Sequence, residues 1–143
     1  NIFIDKPDEV NVEMDEVTYY LCRKLKRNRV VEGDEEVILA DTPVKLMMKL
    51  HQLYSGTIKF ESGKGMVIDT SKAQFIYKKF AGKKIAIFYK FKQELKAIKE
   101  VYGDDICTEL SLFKETNKSI ALQIVSGREG IFQLQVIGNQ EIE

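Results

Sequence analysis

Residues 83–103, KKIAIFYKFKQELKAIKEVYG, combine two patterns that together predict the class of fold. Residues 83–89 form a continuous apolar run bounded by lysines, which is typical of a strand buried on both faces of a parallel sheet. From residue 91 onward apolar side chains recur at helical spacing and a glycine closes the segment (Phe91, Leu95, Ile98, Tyr102 and Gly103). The stretch therefore predicts a buried strand followed by an amphipathic helix.

The segments on either side repeat this alternation. Residues 70–82 place Ala73, Ile76, Tyr77 and Phe80 at helical spacing before Gly82. Residues 105–110 fit a short strand, and residues 119–126, SIALQIVS, fit a second buried strand. We expect an α/β fold with three layers, in which helices lie on both faces of a parallel sheet.

The sequence pattern of the N-terminal half is less regular. Residues 9–14 alternate like a strand, and residues 15–28 predict a helix with Asp15 as its cap. A second helix is expected from Pro43, capped by Asp41 or Thr42 and stopped by Gly56, with Met47 and Met48 in the core. Residues 57–69 predict a β-hairpin insertion around Ser62-Gly63-Lys64-Gly65, which lacks the spacing of a phosphate loop.

Composition excludes several classes of protein. The 143 residues are 44% hydrophobic and 31% charged, which fits one globular domain. The sequence has neither a membrane-length apolar run nor a signal pattern, so we expect a cytoplasmic protein. Cys22, Cys107 and His51 cannot assemble a Cys/His zinc cluster. The chain starts at Asn1 without a Met, and we expect it to be a piece of a longer protein.

The zero net charge conceals a segregation of charge along the chain. Residues 72–99 contain nine lysines and a single acid, Glu94, so this block carries +8 and the rest of the chain −8. Such a block is compatible either with an ordinary solvated surface or with a surface that faces a polyanion.

Two loops leave the carboxyl ends of the predicted buried strands, which is where open parallel sheets bind ligands. They are YKFK at 89–92 and SGREG at 126–130, and both carry cations. Glycines allow close approach of the backbone to a ligand, and a strand-end Arg reaches an anion. A plain turn with Arg128 and Glu129 in solvent is the competing interpretation.

At these loops the sequence resembles superfamily 2 helicases of the Snf type. Residues 83–103 are similar to motif IV of that family, and ALQIVSGREGI at 121–131 resembles motif V, in which a buried strand enters a Gly-x-Glu-Gly-Ile turn. Residues 42–56 and 69–80 resemble the helices that precede motif IV. The resemblance covers residues 10–131 and points to phage or bacterial members.

The resemblance implies a single RecA-like helicase C-terminal lobe at 1–131 with a divergent or truncated tail at 132–143. In the family, motif IV tracks a nucleic-acid strand and motif V couples that strand to the nucleotide. Nucleic-acid binding is thereby implied for Tyr89, Lys90, Phe91, Ser126, Gly127 and Arg128. Nucleotide binding is implied for Glu129 and Gly130.

The same resemblance sets the expected cofactors and partners. An intact parent would use ATP and Mg, whereas this chain alone, lacking a phosphate loop and motif VI, is expected to bind no cofactor and to have no catalytic or metal-binding residue. Expected partners are DNA, bound weakly and without sequence preference, and the N-terminal helicase lobe of the parent. The residues FQLQVIG at 132–138 depart from the family pattern, and we expect self-association through the sheet edge beyond the motif V strand.

Two other functions remain open on the sequence. One is a non-enzymatic α/β interaction module with the topology of the lobe, and the other is a small nucleotide-binding or regulatory protein of flavodoxin-like shape.

Overall fold

The buried strand predicted within 83–103 lies inside a four-stranded sheet. In a computed structural model of the chain, which describes residues 9–124 and 135–137, the strand order is β6 (Ile106–Cys107), β7 (Ser119–Gln123), β5 (Ala86–Tyr89) and β8 (Gln135–Ile137). The strands β6, β7 and β5 are parallel, with Ala86 opposite Ile120 and Ile106 opposite Ser119. The parallel core predicted from the sequence is confirmed.

The strand β8 makes the sheet mixed. It pairs antiparallel with β5, with Ile87 opposite Val136, and so forms one edge of the sheet. Part of the tail predicted to extend the sheet thus pairs within its own chain, beside β5 and not beside β7.

Alternate residues of β5 supply two separate cores. Ile87 and Tyr89, together with Ile85 just before the strand, pack with helices α3 (Ser71–Lys79) and α4 (Lys92–Tyr102) through Ile76, Ile98 and their neighbours. On the other face, Ala86 packs with Ile120 and with Phe113 of the short helix α5 (Leu110–Glu115), which the sequence analysis did not predict. Burial on both sides explains why the strand reads as an unbroken apolar run.

The N-terminal half forms a further core of its own. Helices α1 (Glu16–Asn28) and α2 (Pro43–Tyr54) pack with two hairpins around Cys22, Leu25, Leu53 and other apolar residues. One hairpin joins β1 (Val30–Glu32) to β2 (Val37–Leu39), and the other joins β3 (Thr57–Lys59) to β4 (Gly65–Val67). The hairpin predicted at 57–69 is confirmed, whereas β1 and β2 were missed because they flank an acidic segment.

Two N-terminal predictions were wrong. Residues 9–14 contain no strand, although Met14 is buried. Met47 and Met48 are 57% and 42% exposed, so they do not fill the core. The start of α2 is as expected, because the Thr42 hydroxyl accepts a hydrogen bond from the Lys45 amide at 3.1 Å and Pro43 opens the helix.

Asp69 joins the N-terminal half to α3. Its carboxylate is 3% exposed. It accepts hydrogen bonds from the Asp15 amide at 2.7 Å, the Thr18 hydroxyl at 2.7 Å and the Ser71 amide at 2.9 Å. One side chain therefore fixes the starts of α1 and α3 relative to each other.

Gly56 lies against the same junction. It has φ +87°, and a Cβ there would lie 2.0 Å from the Asp69 carbonyl oxygen. Its own carbonyl accepts hydrogen bonds from the amides of Ile68 and Asp69 at 2.9 and 3.2 Å. The glycine that stops α2 thus also allows close contact between the two backbone segments.

Within residues 9–124 and 135–137, no helix is both long enough and apolar enough to cross a membrane.

Candidate nucleic-acid interface

The carboxyl ends of β5 and β7 are adjacent. The Ile124 amide donates a hydrogen bond to the Tyr89 carbonyl at 2.8 Å, and the Gln123 side-chain amide donates one to the Lys90 carbonyl at 3.0 Å. The chain that leads toward residues 126–130 therefore begins directly beside the loop at 89–92. Ser126, Gly127, Arg128, Glu129 and Gly130 themselves lie outside the described residues.

Tyr89 belongs to the core. Its side chain is 6% exposed and packs in the cluster formed by α3, α4 and the sheet. Burial raises the pKa of its hydroxyl, and the nearby charge of Glu94 adds to the rise. Tyr89, which the resemblance places toward a nucleic-acid backbone, therefore offers almost no side-chain surface to a ligand.

Lys90 and Phe91 are partly exposed at the start of α4. The Lys90 ammonium lies 5.5 Å from the centre of the Phe91 ring, and that ring meets His51 of α2 edge-on at 6.1 Å between centroids. The phenyl ring thus contacts the N-terminal half while the ammonium group stays at the surface.

The buried side chain of Glu94 hydrogen-bonds to the backbone of this loop. Its carboxylate is 5% exposed and accepts hydrogen bonds from the amides of Lys90 at 3.0 Å and Phe91 at 2.8 Å. Burial raises the pKa of Glu94, against the opposing effects of those amides and of Lys72 and Lys90. We missed this role, although an acid three residues after the helix cap is a recognisable N-terminal signal.

Lys72 also lies close to the loop. Burial lowers the pKa of Lys72, while the charges of Glu94 and Asp69 oppose that change. The sequence analysis placed no function on this residue.

His51 lies near the same two lysines and contacts the Phe91 ring edge-on. Burial lowers the pKa of His51, and the positive charges of Lys90 and Lys72 lower it further. The two lysines act on one buried carboxylate, which leaves a net positive charge beside the carboxyl end of β5.

The hairpin at 57–69 packs against the same helix. A Cβ at Gly65 would lie 2.5 Å from the side-chain nitrogen of Gln93, so this glycine permits the contact. The hairpin insertion is therefore next to the N-terminus of α4, which its position in the sequence did not reveal.

The lysine side chains and the N-terminus of α4 at this site are groups that can bind a phosphate. Among the described residues, no three His, Cys, Asp or Glu side chains are grouped so that they could hold a metal ion.

Comparisons with protein-family models, with curated proteins and with solved structures found no match to this chain.

Proposed function

We propose that the chain is the second RecA-like lobe of a nucleic-acid-dependent ATPase of the Snf helicase type, whose parent moves along or remodels DNA. The observation that supports the proposal is the adjacency of the two strand ends, linked by the Gln123 to Lys90 hydrogen bond. A nucleic-acid strand that crosses this sheet edge would meet both loops at once.

The residues near the two strand ends would have different roles in this function. Lys90 and Lys72 would supply positive charge to backbone phosphates, and Glu94 holds the loop that carries Lys90. Arg128 would add a second phosphate contact from the neighbouring loop. Glu129 and Gly130 would face the nucleotide that an intact parent binds with Mg between its two lobes.

The first prediction is that the purified chain hydrolyses no ATP above background, with or without DNA. Phosphoryl transfer needs a phosphate cradle, a carboxylate that holds the metal and a charge-stabilising Arg. The sequence contains neither a phosphate-loop motif nor motif VI. The measurement is phosphate release by the repurified chain. Hydrolysis that persists through purification and is lost in Arg128→Ala would contradict the proposal.

The second prediction concerns DNA. Fluorescence anisotropy with labelled oligonucleotides of two unrelated sequences should show weak binding at low salt with equal affinities. Each phosphate contact contributes about 0.7 to 0.9 to the slope of log affinity against log salt. Lys90→Ala and Arg128→Ala should therefore each lower the slope by about one contact.

Lys99→Ala is the matched control for this experiment, because Lys99 is exposed near the other end of α4. Lys72→Ala is not a suitable control, because the charge of Lys72 acts on Glu94. Equal losses for Lys90→Ala and Lys99→Ala, or no binding at low salt, would show that the loop is a structural turn.

A non-enzymatic interaction module is the second candidate, and the surface of α2 favours it. Val44, Met47 and Met48 share one face of the helix and are all exposed. Apolar patches of this kind often mark contact surfaces. A phosphate-loop motif encoded upstream and a Gln-x-x-Gly-Arg-like motif encoded downstream would favour the helicase lobe, whereas their absence from both flanks would favour the module.

A further inference from the structure

A cleft of about 480 Å³ opens beside the turn between β1 and β2. Its apolar lining comes from α1 and both hairpins (Leu21, Val31, Ile38, Ile58 and Phe60). Its acidic lining comes from the turn (Glu32, Asp34, Glu35 and Glu36). The cleft therefore combines apolar surface that is accessible from outside with a concentrated negative charge.

Within the described part of the chain, the acids of this cleft form no salt bridge. The salt bridges there join Arg23 to Glu16 and Lys45 to Asp41 and Glu61, and none of them involves residues 32–36. Neighbouring carboxylates repel one another, so a cationic partner would relieve that repulsion. The apolar lining further requires that the partner carry an apolar group next to its cations.

The C-terminal end of α3 presents such a surface. Lys78 and Lys79 are exposed and take part in no salt bridge among the residues that the structure describes. The Lys79 ammonium lies 5.7 Å from the centre of the Phe75 ring and 5.8 Å from that of Phe80. Lysines and aromatic rings are thus combined on one helix end, within the block of residues 72–99 that carries +8.

We propose that the acidic cleft of one copy of this chain binds the C-terminal end of α3 of a second copy. The complementarity lies in two surfaces of the same chain, one with four acids and apolar lining, the other with two lysines and aromatic rings. In a two-fold dimer each copy supplies both surfaces, so the contact is made twice and the assembly closes.

This pairing is independent of the proposed function. Lys78 and Lys79 lie at the opposite end of α3 from Lys72, about 10 Å away at the rise of an α-helix. It also differs from pairing through the sheet edge, because opposite charges at a surface are screened by salt whereas strand pairing is not.

Charge reversal tests the proposal with sedimentation velocity. The unmodified chain should form dimers at about 0.05 M salt and dissociate at about 1 M salt, where the Debye length falls to about 3 Å. Glu35→Lys with Glu36→Lys should weaken the dimer at least about a hundredfold, because it changes the charge of the four cleft acids from −4 to 0. Lys78→Glu with Lys79→Glu should weaken it as much, because acids then face acids. The chain with all four reversals should regain part of the affinity, because the two reversed pairs again carry opposite charges.

All four positions are exposed or partly exposed, so circular dichroism and thermal melting should confirm that each variant folds. Three results would overturn the proposal: a monomer at low salt for the unmodified chain, a dimer that survives either pair of reversals, or a folded fourfold variant that stays monomeric. Survival of the dimer through both pairs of reversals and high salt would point to sheet-edge pairing.

Discussion

Replacing Asp69 by alanine is expected to lower the free energy of unfolding by about 2–4 kcal/mol. The carboxylate accepts hydrogen bonds from Asp15, Thr18 and Ser71, and the Thr18 side chain is fully buried. Its removal leaves buried donors without a partner, which costs more than the hydrogen bonds themselves stabilise. Urea denaturation followed by circular dichroism measures the change.

Asp104→Ala is the matched control, because Asp104 is exposed in the turn after α4. It should change stability by less than about 0.5 kcal/mol. If the two variants were equally stable, Asp69 would not join the N-terminal half to α3 as the structure indicates.

The contribution of Asp69 should also depend on pH. Burial raises the pKa of this carboxyl, but the hydrogen bonds from Ser71, Thr18 and Asp15 outweigh burial and leave the pKa below its usual value. A lowered pKa in the folded state means that the stabilisation is present above the unfolded value, near 3.9, and is lost as the pH falls through the folded value. The stability difference between the unmodified chain and Asp69→Asn should therefore shrink below about pH 4. The buried Glu94 titrates in both proteins and does not affect the comparison.

Gly56→Ala is expected to lower the free energy of unfolding by about 2–5 kcal/mol, the sum of two effects. An alanine at φ +87° is strained by about 1–2 kcal/mol. Its Cβ would also lie 2.0 Å from the Asp69 carbonyl oxygen, so the backbone on one side has to move. Chemical denaturation again provides the measurement.

Gly82→Ala separates the two effects. Gly82 has φ +76°, but nothing lies within 4 Å of a Cβ built there. The free energy of unfolding of this variant should fall only by the cost of the strained backbone conformation, about 1–2 kcal/mol. Equal losses at the two glycines would mean that the contact between Gly56 and Asp69 imposes no steric limit.

Local sequence patterns were sufficient to predict most of the helices and the parallel strands. The spacing of Phe91, Leu95, Ile98 and Tyr102 gave the helix that is now α4, and the apolar run at 83–89 gave β5. These predictions succeeded because a helix buried on one face carries apolar residues at a regular spacing, and a strand buried on both faces carries a continuous apolar run. The strand predicted at 9–14 failed because alternation over a few residues, without a partner strand, does not make a sheet.

Local sequence patterns predicted only part of the candidate site. Lys90 was found because it follows a buried strand, and parallel strands place their carboxyl ends at one edge. Its neighbours Lys72 and His51 were missed, since they come from the start of α3 and the last turns of α2. The burial of Tyr89 was not predicted, because its position at a strand end does not show which face its side chain takes.

The sequence by itself determined the α/β class, the parallel pairing of the central strands and the segregation of charge, because each depends on residue type and short-range order. Only the tertiary structure decided that β8 closes the β5 edge in the antiparallel direction and that Glu94 holds the Lys90 loop. It also decided that Asp69 ties α1 to α3 across 51 residues of chain. Such contacts join residues that are distant in sequence, and their energies depend on the burial and mutual orientation that packing alone provides.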